Sequence, residues 1–288
     1  MSMKMVSPMA ISGYTVNVTE TDAAVYVAGT TYTINALVMY NHRVYSSLQA
    51  TNVGHQPDTS PTWWLDNIAT NAYRAIDSSS SSKTTGTNLI FNMASGKSSC
   101  VALLGVTATS VTVEILNESL GVIYTNTIIG TTRNLSTWYE WFTGSFINKT
   151  SFIFDTIFYP TGTIRITLAG ASSCSNIIIG TKQDLGCVNW DAGTGFIDYS
   201  IKSTDQWGNT YLKQGNYINK LDVTLNIPTI QYDAIRSSVI AKRGIPSLFI
   251  GADNTFDSTT IYGFIREFDP VLKNPAMSLA TLRVEGLL

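Results

Sequence analysis

Alternation is the dominant pattern along this chain. Val111, Val113 and Ile115 stand on one side of the segment 110–116, with Thr112 and Glu114 between them. The segment 163–168 repeats the pattern with Ile164, Ile166 and Leu168 against Arg165 and Thr167, and 217–227 does so with Leu221, Val223, Leu225 and Ile227. A period of two marks a strand that packs on one face and is wet on the other. Further strands are expected at 88–93, 100–106, 121–129, 151–158, 176–180, 196–203, 210–212, 247–250, 261–268 and 279–287. Short strands with turn signals between them predict a central antiparallel β-sandwich, jelly-roll-like in type. One segment has a helical period instead: Ile230, Ala234, Ile235, Val239 and Ile240 recur at three- and four-residue spacing. Pro228 suits its start, Thr229 can cap it, and Gly244 is the expected stop. Asp233 early and Lys242-Arg243 late complement the helix dipole. The expectation is a C-terminal β-sheet with a single α-helix, at about 229–243, on one face.

Residues 1–25 read as an N-terminal arm or a first edge strand. Tyr14, Val16 and Val18 alternate there with Thr15, Asn17 and Thr19, yet no hairpin partner lies nearby in sequence. An arm of this kind is expected to be ordered chiefly by another chain. Residues 26–70 read as a small β module. The runs Ala36–Tyr40 and Val44-Tyr45, split by Asn41-His42, form a hairpin pattern. Pro57 and Pro61 fix the following loop, and Trp63-Trp64 close the unit. So small a unit must draw its core from large aromatic side chains. The sandwich is then expected over 71–188, with Ser78–Ser82 as a loop or linker, and a β-rich domain over 189–288. The fold class is mainly β.

Composition narrows the function classes. Charged residues are only 13% of the 288, about half the usual share. The formal net charge is −2, so there is no basic excess to hold phosphates and no nucleic-acid partner is expected. No apolar run is long enough to span a bilayer, so no membrane insertion is expected. The opening residues MSMKMVSPMAIS lack the apolar core of a secretory leader. Cys100, Cys174 and Cys187 are odd in number and widely spaced, which predicts reduced thiols of a cytoplasmically made protein. The sequons at Asn17, Asn117, Asn134 and Asn148 are what chance supplies in a Ser/Thr/Asn-rich chain.

Candidate chemistry is sparse. A nucleophile needs a base beside it, and only His42 and His55 could serve. Both fall in loops of the small module, where solvent-facing histidines are the simpler account. Gly96-Lys97-Ser98 matches the end of a phosphate-binding loop, but Phe91 stands where its first glycine is required. Glu114 and Glu118 are spaced for a helix in a segment that reads as strand and turn. Glu140 sits among Trp138, Tyr139, Trp141 and Phe142, which could make a sugar site or simply close one end of a sandwich. Asp253 to Asp257 offers oxygen ligands in a loop but falls well short of a calcium site. The expectation is no catalytic residue, no metal and no cofactor, hence no enzyme.

Two resemblances give these observations a direction. Val38, Tyr40-Asn41, Tyr45, Asn52, Pro57 and Trp64 resemble the small chitin-binding type of carbohydrate-binding module. That resemblance implies a glycan site on exposed rings among Tyr40, Tyr45, Trp63 and Trp64; the plainer reading makes these rings core. Over about residues 25–288 the chain also resembles tail and baseplate-associated structural proteins of tailed bacteriophages. The likeness is carried by SPTWWLD at 60–66, VALLGVTATSVTVEI at 101–115 and the strands and helix of the last hundred residues. It implies a virion component of the tail tip, baseplate or fibre-attachment region, made in the bacterial host cytoplasm. Its partners would be other tail proteins and copies of itself. The alternative it leaves open is an adhesin whose module reads a host-surface glycan.

Overall fold

The computed structural model describes the chain apart from Met1, Ser78, Ser80, Leu288 and residues 133–136, 144–146 and 252–256; for Thr132, Glu140, Ile147 and Asp257 it describes the backbone alone. In chain order the strands are β1 (Ser2–Pro8), β2 (Thr15–Val16), β3 (Ala24–Val25), β4 (Leu37–Tyr40), β5 (Arg43–Ser47), β6 (Trp64–Ala69), β7 (Thr84–Ala94), β8 (Cys100–Leu104), β9 (Ser110–Asn117), β10 (Gly121–Ile129) and β11 (Thr131–Thr132). Helix α1 (Trp138–Thr143) precedes β12 (Ile147–Asn148), β13 (Phe152–Asp155), β14 (Thr163–Cys174), β15 (Asn176–Val188), β16 (Gly193–Asp198), β17 (Ile201–Thr204), β18 (Thr210–Lys213) and β19 (Tyr217–Pro228). Helix α2 (Tyr232–Ala241), β20 (Ser247–Ile250), β21 (Thr260–Val271) and β22 (Met277–Gly286) finish the chain. The fold is mainly β, with antiparallel sheets and one longer helix near the C-terminus, as the alternation requires.

The chain divides into two compact units, and the division is nested. Residues 11–97 and 101–177 form one; residues 1–10, 98–100 and 178–288 form the other. The expected boundaries at 25, 70 and 188 do not coincide with this division. The first ten residues belong with the last hundred, and the small module shares a unit with the sandwich strands. Strand pairing at long sequence separation sets this division.

The second unit is built around a closed barrel. Tracing its antiparallel pairings β15–β1–β20–β21–β22–β19 leads back to β15, through Cys187↔Asn226 and Val188↔Leu225. The alternating residues Leu221, Val223, Leu225 and Ile227 point inward beside Met3, Met5, Leu185, Phe249, Leu282 and Val284. Such a barrel is filled by side chains and has no open edges around its ring. The N-terminal arm is thus corrected for its first third: β1 pairs along one edge with β15 and along the other with β20, and Met3, Met5 and Val6 are fully buried. Helix α2 contributes Ile235 and Val239 to the same core.

One part of this unit leaves the barrel. β16 pairs with β19 from Gly193↔Asp222 to Asp198↔Tyr217, and β17 and β18 continue as a separate two-stranded hairpin. Every residue of β17 and β18 is exposed.

The other unit holds the five-stranded sheet β10-β9-β14-β7-β2. Its inward row is the one the alternation selects, Val111, Val113 and Ile115 on β9 and Ile164, Ile166 and Leu168 on β14, joined by Leu89, Phe91 and Met93 on β7. β8 and β13 pair in a different sheet, and their apolar side chains are buried. The chain passes from one sheet to the other between β7 and β9 and again between β10 and β14, a sandwich-like path. The small module is a third sheet, β3-β4-β5-β6, in the same unit.

Candidate functional site

The small module's core decides what its aromatic residues can do. Val38, Tyr45 and Trp64 form a buried cluster, with Tyr26, Tyr32, Tyr40 and Trp63 packed against it. Trp64 is 2% exposed, and its indole N–H donates to the His55 carbonyl at 2.8 Å. The rings of Tyr32 and Tyr26 meet it edge-on at 5.3 and 5.9 Å. Tyr45 is 5% exposed, and burial pushes its phenol pKa up. Trp63 lies nearly parallel to the His55 imidazole at 3.9 Å, so one of its faces is covered. A sugar platform needs an open ring face, and Tyr45 and Trp64 have none. Of the four candidate rings, half-buried Tyr40 lines a surface pocket. Asn52, the polar residue of the resemblance, is buried and donates to Ser47 Oγ at 3.1 Å and to the Trp63 carbonyl at 3.3 Å, which ties the β5 end to the tryptophan pair.

The pocket of about 330 Å³ is lined by Glu20, Val25, Met39, Tyr40, Asn41 and His42. It sits at the β4–β5 turn, where Tyr40 pairs with Arg43 and both central residues lie at positive φ, Asn41 at 47° and His42 at 62°. This is the turn geometry that matches strand twist, and it favours Asn at the first position and Gly at the second. A histidine in the second position is strained by about 1–2 kcal/mol unless something holds it. Two contacts do. Its Nδ1 lies 2.8 Å from Glu20 Oε1, and its ring stacks on Tyr73 at 3.8 Å. Glu20 is fixed in turn by the Thr70 hydroxyl at 2.9 Å. Asn41 donates to Asp58 at 3.2 Å. Behind the pocket, Arg74 and Asp22 pair at 2.7 Å, and Asp22 also accepts the Asn71 N–H at 2.9 Å.

Chemically the site is a half-apolar dent with a carboxylate-oriented imidazole, a tyrosine ring and an amide. Its lining includes no serine, threonine or cysteine. His42 and His55 lie in a turn and a loop, as expected, His42 exposed and His55 half-buried, and each also stacks on an aromatic ring, Tyr73 and Trp63 in turn. The partners Glu20 and Tyr73 lie 22 and 31 positions from His42, and only the fold brings them together. The sequence marked this place by Tyr40, by the Asn41 turn signal and by His42, but not by Glu20 or Tyr73.

The remaining candidates are quickly placed. Gly96-Lys97-Ser98 leads into β8, without the helix that a phosphate loop requires. Glu114 is on β9, 3.7 Å from Arg165, and Glu118 is in the following turn. Trp138, Tyr139, Trp141 and Phe142 are exposed on α1; the Glu140 side chain lies outside the described residues, as do Asp253–Phe256 and the Asp257 side chain. No group of three potential metal ligands occurs among the described residues. No disulfide joins the cysteines: Cys100 and Cys174 are buried and Cys187 is exposed. No helix among the described residues is long and apolar enough to cross a membrane.

The chain matches no family model, and no curated protein or solved structure is detectably similar to it. The class that the fold itself defines is a mainly-β protein, a closed barrel with a β-rich unit inserted between its first and second strands.

Proposed function

We propose that this chain is a structural component of a multi-subunit particle, acting by protein–protein assembly rather than catalysis. In line with the resemblance drawn from its sequence, the particle is a tailed-bacteriophage virion and the place its tail tip, baseplate or fibre-attachment region. The observation that carries the reading is the hairpin β17–β18. A two-stranded ribbon projecting alone has little stability of its own. This one and its base expose Phe196, Tyr199, Ile201, Trp207, Tyr211, Leu212 and Tyr217. Spread over both faces of the ribbon, these side chains show on the order of 1,000 Å² of surface, close to one side of a standard protein interface. The low charge content fits, because interface cores are depleted in charge.

The test is to excise the hairpin. Replacing residues 199–216 by Asn-Gly closes the ribbon at the pair Asp198↔Tyr217 with a two-residue turn. The barrel should fold unchanged, and the chain should become monomeric at concentrations where the intact chain associates. An excised chain that assembles as the intact one does sinks the reading.

A second reading, glycan recognition by the small module, keeps one support: the pocket with the Tyr40 ring, Asn41 and the Glu20-oriented His42. It does not compete with the first, since an assembled particle presents many weak sites at once and gains avidity from them. If particles carrying Tyr40→Ala adsorb to host cells as well as the intact ones do, this reading falls.

A further inference from the structure

We infer that β10 is a pairing edge, at which two copies of the chain join antiparallel, strand to strand, about a two-fold axis at Asn126. β10 ends the five-stranded sheet and pairs with β9 alone among the described residues. A strand in that place presents a row of free N–H and C=O groups, and proteins ordinarily blunt it by shortness, charge or proline. The other sheet ends obey that rule. β2, β3, β11 and β12 have two residues each. β6, β13 and β16 contain Asp66, Asp155 and Asp198, and β17 and β18 contain Lys202 and Lys213. β10 has nine residues, GVIYTNTII, mostly β-branched, with no charge and no proline. Its bulge, between Val122 and Tyr124, lies at its start and leaves 124–129 regular.

The sequence of this edge selects its occupant. Residues 123–129 read Ile-Tyr-Thr-Asn-Thr-Ile-Ile, nearly the same in both directions about Asn126. Antiparallel strands related by a two-fold axis place each residue opposite the one equally far beyond the axis. With the axis at Asn126, Thr125 meets Thr127 of the second copy, Tyr124 meets Ile128, and Asn126 meets itself. Hydroxyl faces hydroxyl, ring faces aliphatic chain and amide faces amide, the kinds of cross-strand pair that stabilise a sheet. An unrelated strand has no reason to match this symmetry, whereas a second copy matches it by construction.

Side chains and backbone both agree with the axis. Tyr124, Asn126 and Ile128 stand opposite Ile115, Val113 and Val111, the inward row of β9, so Thr125 and Thr127 lie on the outer face. An axis on a residue sets inner side chains opposite inner ones. The Gly130 N–H donates to the Thr109 carbonyl at 2.8 Å. By alternation, Asn126 and Ile128 turn their backbone groups to β9, and Thr125, Thr127 and Ile129 turn theirs outward. Thr125 of one copy and Thr127 of the other then exchange both bonds, once on each side of the axis. Thr125, Asn126, Thr127 and Ile129 are all exposed. A ladder this short is a weak contact, and being self-complementary it closes at two chains. It goes beyond the hairpin contact and is carried by the other unit, so the two can fail separately.

Disulfide trapping tests the register. The chain is made with Cys187→Ser, which removes the exposed native thiol, and with Asn126→Cys. Residues facing each other in a non-hydrogen-bonded pair have Cα atoms about 4.5 Å apart, within disulfide reach. Under copper–phenanthroline oxidation, a product linked 126 to 126 should form on the order of tenfold faster than the product from Glu118→Cys, an exposed site in the turn before β10. Both sites are exposed, so both variants should fold. Adding Thr127→Pro removes an outward N–H and keeps the bonds to β9, so it should slow linking to the control rate. Linking no faster than in Glu118→Cys overturns the inference and leaves the hairpin reading standing. Fast linking that Thr127→Pro does not slow overturns it too, because the copies then meet without the ladder. Fast, proline-sensitive linking in a chain whose hairpin proves dispensable for assembly upholds this inference and sinks only the hairpin reading.

Discussion

Two tryptophans show how burial, and not residue type, sets a role. Trp64 is met edge-on by the rings of Tyr26 and Tyr32 and donates to the His55 carbonyl, whereas Trp207 is held out into solvent. Trp64→Ala should destabilise the small module by about 3–5 kcal/mol, the usual loss for a buried large aromatic. Tyr40→Ala, at the pocket rim, should leave the module folded and abolish any binding of chitin fragments. Urea unfolding and binding measured on the same two variants check both statements. Equal stability of Trp64→Ala and the intact chain would contradict the core placement. Cys174 gives a pH prediction. Burial is the main cause that raises its thiol pKa from 9.0 to about 12. Tyr14, whose hydroxyl donates to the Ala72 carbonyl at 2.7 Å, is raised as well, chiefly by burial. Both groups must stay protonated in the fold and ionise more readily once unfolded. Their contribution is therefore complete below about pH 9 and is lost as pH rises from there toward the folded values. Denaturation midpoints should fall over that alkaline window. Native-state alkylation at pH 8 should label Cys187 and spare Cys174; rapid labelling of Cys174 would show that its site is open.

At the scale of elements, the alternating strands formed where periodicity placed them, and the exceptions have local physical causes. The helix was expected at about 229–243 with Thr229 as its cap. It runs over Tyr232–Ala241 after a tighter turn at Thr229–Gln231. Thr229 makes no cap because its hydroxyl is engaged by the Asn274 carbonyl and Ser278, on the far side of the sequence. Pro228 ends β19 rather than starting the helix. Of the expected apolar stripe, Ile235 and Val239 are buried, while Ile230 is 93% exposed. β1 has the clearest consequence. As a strand paired on both edges, its backbone amides should be strongly protected from hydrogen exchange in the isolated monomer. Deleting residues 1–10 should abolish cooperative unfolding of the barrel, because it opens the ring and removes Met3 and Met5 from the core. Protection that appears only in assemblies would restore the idea of an arm ordered by another chain.

At the scale of the whole molecule, two features were not visible along the chain: the nesting of one unit within the other, and the isolation of the β17–β18 ribbon. The turn Asp205–Asn209 and its flanking strands are plain in the sequence, but nothing there says that the ribbon has no sheet to lie on. That isolation makes its apolar residues available to other copies and carries the assembly reading.

What the sequence determined by itself is local and periodic: the class of fold, the faces of its long strands, the existence of one helix and the need for aromatic rings in a small module. These follow from side-chain alternation and from turn chemistry, which act over a few residues. The tertiary structure alone decided which distant strands pair, and so that Ser2–Pro8 closes a barrel with strands as far along the chain as Cys187 and Ile250. It also decided which rings are enclosed, and so that Trp64 packs while Tyr40 faces a pocket. Pairing and enclosure depend on contacts between segments whose spacing along the chain carries no periodic signal, and that is the physical reason they could not be read from it.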